Sequence, residues 1–358
     1  MSYFIELCNN QVKIVNAQLR HDGSIVVDAA RTIFTVFDAD ALENVSHEIK
    51  DMGGKTDKTQ LIVNNNAVLY KELRVPKLDR KQTAKVVENE MLSVQNSRQS
   101  QVSTWIGLHE KPDAEGLTRI LGCALPADRL NDYQSLFTAI GCKKPRGIDV
   151  GNHALIEYIR CSELADETAP YIVAEVSTGI CRTFLFDQGS FIMTRNARVA
   201  TDDTNQLIQT IREQVSLMQQ FQSTRRTDAR AVMAYLFGDL NGMEYLIQNC
   251  TVDDDITDYE ALPPLTDITA PADFSYLAYV YILGSVAGNY RDVNFLETQK
   301  NLKKEAHAVS AGTKKTLWIG AACMIPLALA AFWLVSQNAA VQKQVADEEA
   351  YLSDRERV

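Results

Sequence analysis

The chain has 358 residues, of which 46% are hydrophobic, 23% charged and 8% aromatic; this argues against a disordered, collagen-like or disulfide-scaffold protein. A net charge of −10 leaves no basic excess to neutralise phosphates, so no nucleic-acid partner is expected. Seven cysteines form no CxxC and no Cys/His pair at ligand spacing, and five histidines are scattered, so reduced thiols and no metal site are expected.

In chain order, strands are read at 2–8, 12–19 and 24–30, joined by Asn9-Asn10 and Asp22-Gly23, residues that tolerate positive φ in tight turns. A helix is expected around 38–50 and a strand at 60–65. An insert follows at 76–145. It holds a helix with Ala84, Val87, Met91 and Val94 on one stripe, a strand at 118–125, and a helix with Leu130, Tyr133, Phe137 and Ile140 on one face, closed by Gly141. The opening order then recurs. Strands are read at 171–176, 180–187 and 190–195, with a turn at 187–189. A long helix covers 203–222, striped by Leu207, Ile208, Ile211, Val215, Met218 and Phe221, and a strand follows at 231–237. Two copies of strand-strand-strand-helix-strand predict a duplicated α/β unit. Arg225 and Arg226 end the long helix, where cations complement its dipole. Residues 251–275, with seven acidic groups, no basic ones and three prolines, read as a loop.

Residues 316–335 (TLWIGAACMIPLALAAFWLV) are twenty without a charge. At about 1.5 Å per residue they match a hydrocarbon core of roughly 30 Å. Trp318 and Trp333 lie at interface depth, and Pro326 is tolerable mid-span. Lys300, Lys303, Lys304, Lys314 and Lys315 precede the span against Glu297 and Glu305, while three basic and five acidic groups follow it. The positive-inside rule places residues 1–315 in the cytoplasm and 336–358 outside. The opening MSYFIELCNNQVK has no apolar run after a basic start, so no signal peptide is read.

Several stretches resemble a known superfamily. IELCNNQVKIVNAQL is similar to the IDIGSSSVKIVEL-type first hairpin of actin-like ATPases, and EVSTGICRTFLFDQGSFIMTR to their second phosphate hairpin. RVPKLDRKQTAKVVENEM and SLFTAIGCKKPRGIDVGNHALI resemble two further stretches of PilM, the cytoplasmic actin-like family of type IV pilus assembly. The cytoplasmic half of GspL, from type II secretion, is a more distant likeness. Val293-Asn294-Phe295-Leu296, with the basic stretch, span and tail after it, resembles the start of PilN, whose Ile-Asn-Leu-Leu-Pro peptide docks into PilM. Two features depart from PilN: Glu297 stands at the peptide's proline, and the residues after the span hold no counterpart of its ferredoxin-like domain.

The resemblance implies an α/β, actin-like (ribonuclease H-like) fold of duplicated βββαβ domains with an inserted subdomain and one transmembrane helix. It divides the chain into a first subdomain (1–75 and 146–165), the insert (76–145), a second subdomain (166–290), a docking peptide and basic linker (291–315), the span (316–335) and a tail (336–358). Nucleotide would sit at Glu6, Asn9, Asn10, Lys13, Glu175, Ser177, Thr178, Gly179 and Gly238. In the superfamily, an Asp on each hairpin orients Mg²⁺ and a Gly two residues on admits the phosphates. Here those positions are Glu6, Cys8, Glu175 and Ser177, and Gly238 is followed by Asp239 rather than a second glycine. The site therefore reads as degenerate, without ATP or Mg²⁺, and the plain reading of Glu6 and Glu175 is solvated carboxylates at strand ends.

Val293, Asn294, Phe295 and Leu296 form the expected partner-binding segment, able to fill a groove on the body. Fusion would raise its local concentration to about the millimolar range. The implied role is a non-catalytic, oligomeric scaffold in the bacterial inner membrane. Its partners would be pilus or secretion subunits and, through them, a separate cytoplasmic assembly ATPase. The alternatives are an actin-like ATPase acting as an assembly switch, and a polymerising polar or division scaffold.

Overall fold

In the computed structural model, residues 2–302 are described except for 54–55, 94–99, 109–111, 200–202, 227–228, 241, 253–255 and 289–292; beyond 302 only isolated positions are. The expected span at 316–335, the linker before it and the tail after it therefore lie almost wholly outside the described residues. Among those residues no helix is long and apolar enough to cross a membrane.

The chain opens with β1 (Ser2–Leu7), β2 (Val12–Leu19) and β3 (Ile25–Ile33), an antiparallel meander. The helix α1 (Ala39–Asp51) crosses over to β4 (Gln60–Val63), which pairs parallel to β1; a parallel partner requires such a crossover. The insert consists of β5 (Leu69–Pro76), α2 (Arg80–Leu92), β6 (Gln101–Gly107), β7 (Leu117–Pro126) and α3 (Ala127–Ala139). Then β8 (Gly147–Val150) pairs parallel to β4, and α4 (Gly151–Arg160) follows.

The second lobe repeats the plan. The meander β9 (Tyr171–Ser177), β10 (Ile180–Asp187) and β11 (Ser190–Arg198) leads into α5 (Thr204–Arg225) and β12 (Met233–Phe237). After α6 (Met243–Val252) come β13 (Asp258–Ala261), β14 (Ile268–Thr269) and α7 (Val280–Ala287). The two large sheets run β14-β3-β2-β1-β4-β8 and β11-β10-β9-β12-β13, so each lobe orders its five successive strands 3-2-1-4-5. The duplication read from the sequence is present, and longer by one strand per copy.

Packing explains the elements. β1, β4, β8 and β9 are buried along their whole length, as strands covered on both faces are. The second-lobe core joins Ile172, Val176 and Leu236 of the sheet to Leu207, Ile211, Val215 and Met218 of α5 and Leu246 of α6. The insert has its own small core of Leu73, Val75, Val87, Met91, Ile120 and Ala124.

Several expectations are corrected. Residues 251–275 are not all loop, because β13 and β14 lie within them. The insert begins at Leu69, since β5 pairs with β7 in the insert's own sheet, order β5-β7-β6. The region 262–290 does not stay with the second lobe: β14 pairs with β3, and α7 packs on α4, β1 and β2. On α2, Thr83 is buried with Val87 and Met91 while Ala84 is exposed. A reciprocal cap fixes that rotation: Gln82 N–H donates to Asp79 Oδ1 at 2.8 Å, and Asp79 N–H to Gln82 Oε1 at 3.2 Å. On α5, Gln222 is fully buried and Phe221 is 39% exposed. Gln222 Nε2 donates to Asp187 Oδ2 at 3.2 Å, and Arg226 pairs with the same carboxylate at 2.9 Å. The basic end of α5 is thus tied to the end of β10, beyond any dipole effect.

Candidate functional site

The two meanders place chemically matched pairs at the same point of each lobe. Glu6 on β1 lies opposite Lys13 on β2, and Glu175 on β9 lies opposite Arg182 on β10. All four are buried, which corrects the reading of Glu6 and Glu175 as solvated carboxylates. A buried charge persists only when paired and hydrogen-bonded, and each of the four has partners.

Asn64, just past β4, joins the lobes. Its Nδ2 donates to Glu6 Oε1 at 2.8 Å, and its Oδ1 accepts from Arg182 Nη1. Arg182 also lies 3.5 Å from Glu175 Oε2, which in turn accepts from the Tyr281 hydroxyl on α7. Cys8 Sγ donates to Glu6 Oε1 at 3.2 Å. A second cross-link runs from Lys13, whose Nζ is 3.4 Å from Asp239 Oδ2 and donates to the Ala278 carbonyl at 2.7 Å. Gln11 Nε2 donates to the same Asp239 carboxylate. Asp239 follows β12, so this pair also ties the first-lobe hairpin to the second lobe.

Burial dominates the titration behaviour. It pushes the Glu6 carboxyl up, only partly offset by Lys13 and the Asn64 amide. For Lys13 burial favours the neutral amine, but Glu6, Cys8, Asp239 and Glu175 outweigh it and hold the ammonium above its ordinary value. Arg182 follows the same pattern, with Glu175 its largest supporting charge. Burial and then Glu6 push the Cys8 thiol well up.

The remaining expected nucleotide residues line turns. Asn9 Oδ1 accepts from the Asn66 amide at 3.0 Å, and Asn10 is exposed. Thr178 and Gly179 form the exposed two-residue turn between β9 and β10, where Gly179 takes φ +80°. Ser177 Oγ donates to Glu175 Oε1 at 3.4 Å. Gly238 has φ +149°, and a Cβ there would lie 1.9 Å from the Val176 carbonyl oxygen. Its role in this chain is to let β12 pass close to β9.

A Mg²⁺-nucleotide fits these residues poorly. Lys13 is spent on Asp239 and a carbonyl, both glutamates point into internal hydrogen bonds, and side chains stand at Cys8 and Ser177. Among the described residues no group of three or more His, Cys, Asp or Glu side chains gathers at metal-binding distance. Asn64, Arg182 and Tyr281 were not singled out in the sequence. The one available signal was Arg182, a charge in the interior of the largely apolar strand β10.

The expected partner segment belongs to the same body as the lobes, Met1–Thr298. Val293, Phe295 and Leu296 are buried, Phe295 completely. Asn294 seats the segment on β8: its Nδ2 donates to the Arg146 carbonyl at 3.0 Å, and its Oδ1 accepts from the Leu296 amide at 3.1 Å and the Ile148 amide at 3.4 Å. A Cβ at Gly147 would lie 2.5 Å from Asn294 Nδ2. Asn294 also caps the helical turn that opens at Phe295, its carbonyl accepting from Thr298 N–H at 3.0 Å.

No protein-family model matches this sequence, and no curated protein does. Solved structures do. A PilM-PilN type IV pilus biogenesis complex aligns at TM-score 0.61 and 14% identity, over 80% of this chain and 97% of that one. A Bacteroides thetaiotaomicron protein with an actin-like ATPase fold and unknown function aligns at TM-score 0.51 and 13% identity, over 80% and 96%. The cytoplasmic domain of EpsL, an inner-membrane component of the Vibrio cholerae type II secretion system, aligns at TM-score 0.48 and 7% identity, over 82% and 97%. With the two 3-2-1-4-5 sheets, the first two likenesses show that the chain has the actin-like fold.

Proposed function

We propose that this chain is a non-catalytic, actin-like scaffold of a type IV pilus or type II secretion assembly platform. The observation that carries the proposal is the interlobe cleft. There the groups that would serve a nucleotide are consumed by Glu6–Asn64–Arg182–Glu175 and Lys13–Asp239. Two cross-links of buried charges join the lobes. The seating of Val293–Leu296 on β8 supports the second part of the reading: a peptide of the kind that docks in trans elsewhere is here supplied by the same chain. In this reading the segment 299–315 leads to the membrane span at 316–335 in the bacterial inner membrane. Partners are neighbouring inner-membrane subunits and, through them, a separate assembly ATPase.

Thermal unfolding of the full chain in mild detergent, with and without millimolar Mg·ATP, tests this. Nucleotide at about one hundred times its dissociation constant would add roughly 2.7 kcal/mol; the scaffold reading expects no shift. A saturable rise in Tm that vanishes in Lys13→Met would overturn it in favour of a nucleotide-gated switch.

A further inference from the structure

An ionisable row runs inside the body along α4. Asp149 of β8 and His153, Glu157 and Arg160 of α4 follow one another at spacings of four, four and three, which sets them on one side of the helix. His153 Nδ1 lies 2.8 Å from Asp149 Oδ1, and His153 Nε2 lies 3.9 Å from Glu157 Oε1. Arg160 Nη1 donates to that same Glu157 oxygen. The side chains of His153 and Asp149 are only 2% and 1% exposed. The row ends on the insert, where Arg160 Nη2 donates to the Gly107 carbonyl of β6 at 2.9 Å. It also touches the end of α7: a Cβ at Gly288 would lie 2.5 Å from Glu157 Cβ and 2.7 Å from its Oε2. Glu157 therefore stands where the first lobe, the insert and the end of α7 meet.

A neutral imidazole has one N–H and one bare lone pair. Here each ring nitrogen faces a carboxylate oxygen, so one of the two approaches is repulsive unless both nitrogens carry protons. Burial disfavours the imidazolium, whereas opposite charges within about 4–6 Å favour it, and His153 has one on each side. The groups packed around the row do not compete. Burial pushes the Tyr70 hydroxyl and the Cys123 thiol, both near Asp149, well up and so keeps them neutral. α7 carries no charged residue, and Glu163 and Asp166 beyond α4 are exposed. Arg182, across Tyr70, is engaged by Glu175 and Asn64. We propose that His153 is an acid-sensitive clasp. Protonated, it draws Asp149 and Glu157 together and holds the insert and the end of α7 against α4; when the proton leaves at higher pH, that junction loosens. A histidine is the side chain suited to such a change near neutral pH. The clasp does not depend on the scaffold reading, since no member of the row belongs to the interlobe network.

The test uses the full chain in mild detergent between about pH 6 and 8.5, the range that brackets an ordinary histidine near 6.5. Hydrogen exchange, corrected for the intrinsic rate at each pH, should show protection of residues 101–107 and 280–287 falling as pH rises. In His153→Gln that pH dependence should be absent. The folded state holds the proton to higher pH than the unfolded chain does. The stabilisation is therefore complete below about pH 6.5 and is lost as pH rises through the folded value. For a displacement of about one pH unit, the folding equilibrium read from urea midpoints should weaken about tenfold more over this range in wild type than in His153→Gln. The Glu6 contribution is common to both chains and cancels. If His153→Gln does not fold, ¹⁵N-histidine spectra of the wild-type chain decide. One imidazole protonated on both nitrogens at pH 7.5 is expected, with the exposed His21 and His47 neutral there. The proposal is overturned if every histidine is neutral at pH 7.5, or if wild type and His153→Gln share the same pH dependence of protection and of urea midpoint. An Mg·ATP shift would bear on the scaffold reading and leave this one standing.

Discussion

Adding one methyl group at Gly147 should undo the seating of the 293–298 segment. A Cβ there would lie 2.5 Å from Nδ2, 2.7 Å from Cγ and 2.8 Å from Oδ1 of Asn294, so that side chain must leave. Its two good hydrogen bonds, to the Arg146 carbonyl and from the Leu296 amide, would go with it. At about 0.5–1.5 kcal/mol each, the loss is roughly 1–3 kcal/mol. Replacing a strand glycine returns about 0.5–1 kcal/mol of chain entropy. Gly147→Ala should therefore cost up to about 2.5 kcal/mol net, read from the urea midpoint of the full chain. In an Asn294→Ala background the obstacle is gone, and the same change should stabilise by about 0.5–1 kcal/mol. The double-mutant cycle thus has a change of sign as its signature. If Gly147→Ala costs the same in both backgrounds, the Asn294 side chain does not occupy the space above β8.

Three further predictions follow from the cleft and the second-lobe core. Burial raises the Glu6 carboxyl above its ordinary 4.5, so the folded state binds the proton more tightly than the unfolded one. Its stabilising contribution is complete below about pH 4.5 and is lost as pH rises through the folded value; Glu6→Gln should flatten that decline in urea titrations from pH 4 to 8, and an unchanged slope would refute it. Lys13→Met strands the Asp239 and Glu6 charges and should cost about 3–5 kcal/mol. Lys13→Met with Asp239→Asn should recover much of that, and strict additivity of the two changes would argue against the pair. Met218→Ala should cost about 2–5 kcal/mol whereas Phe221→Ala should stay within about 0.5; the reverse order in thermal unfolding would mean that α5 is rotated from the orientation described.

The meanders and the long helices were legible because their signals are local. Strands such as Val12–Leu19 are apolar runs bounded by turn residues, and α5 carries its stripe at helical spacing. The fifth strands were not legible. β8 is four residues, Gly-Ile-Asp-Val, buried on both faces, so alternation is absent. β13, Asp-Tyr-Glu-Ala, has two carboxylates and sits in an acidic, proline-bearing stretch, and only its parallel pairing with β12 makes it a strand. α4 is buried nearly all round, so His153 and Glu157, which mark a polar face in its sequence, lie inside the body rather than at its surface. The candidate site was half legible. Glu6, Lys13, Glu175 and Asp239 could be placed through likeness to known hairpins. Their burial could not, because it comes from α7 returning across both β1 and β2 from more than 250 residues away, and sequence spacing carries no trace of that return.

The Asn294 seam also determines how the body meets a mechanical load. Any pull transmitted through the chain beyond Thr298 enters the body through the 293–298 segment seated on β8. The first bonds it strains are the few that Asn294 makes with Arg146, Ile148 and Leu296, while the β8–β4–β1 ladder behind them is continuous. The buried Val293, Phe295 and Leu296 lie behind those bonds, so core packing as well as the Asn294 contacts holds the segment where the chain leaves the body.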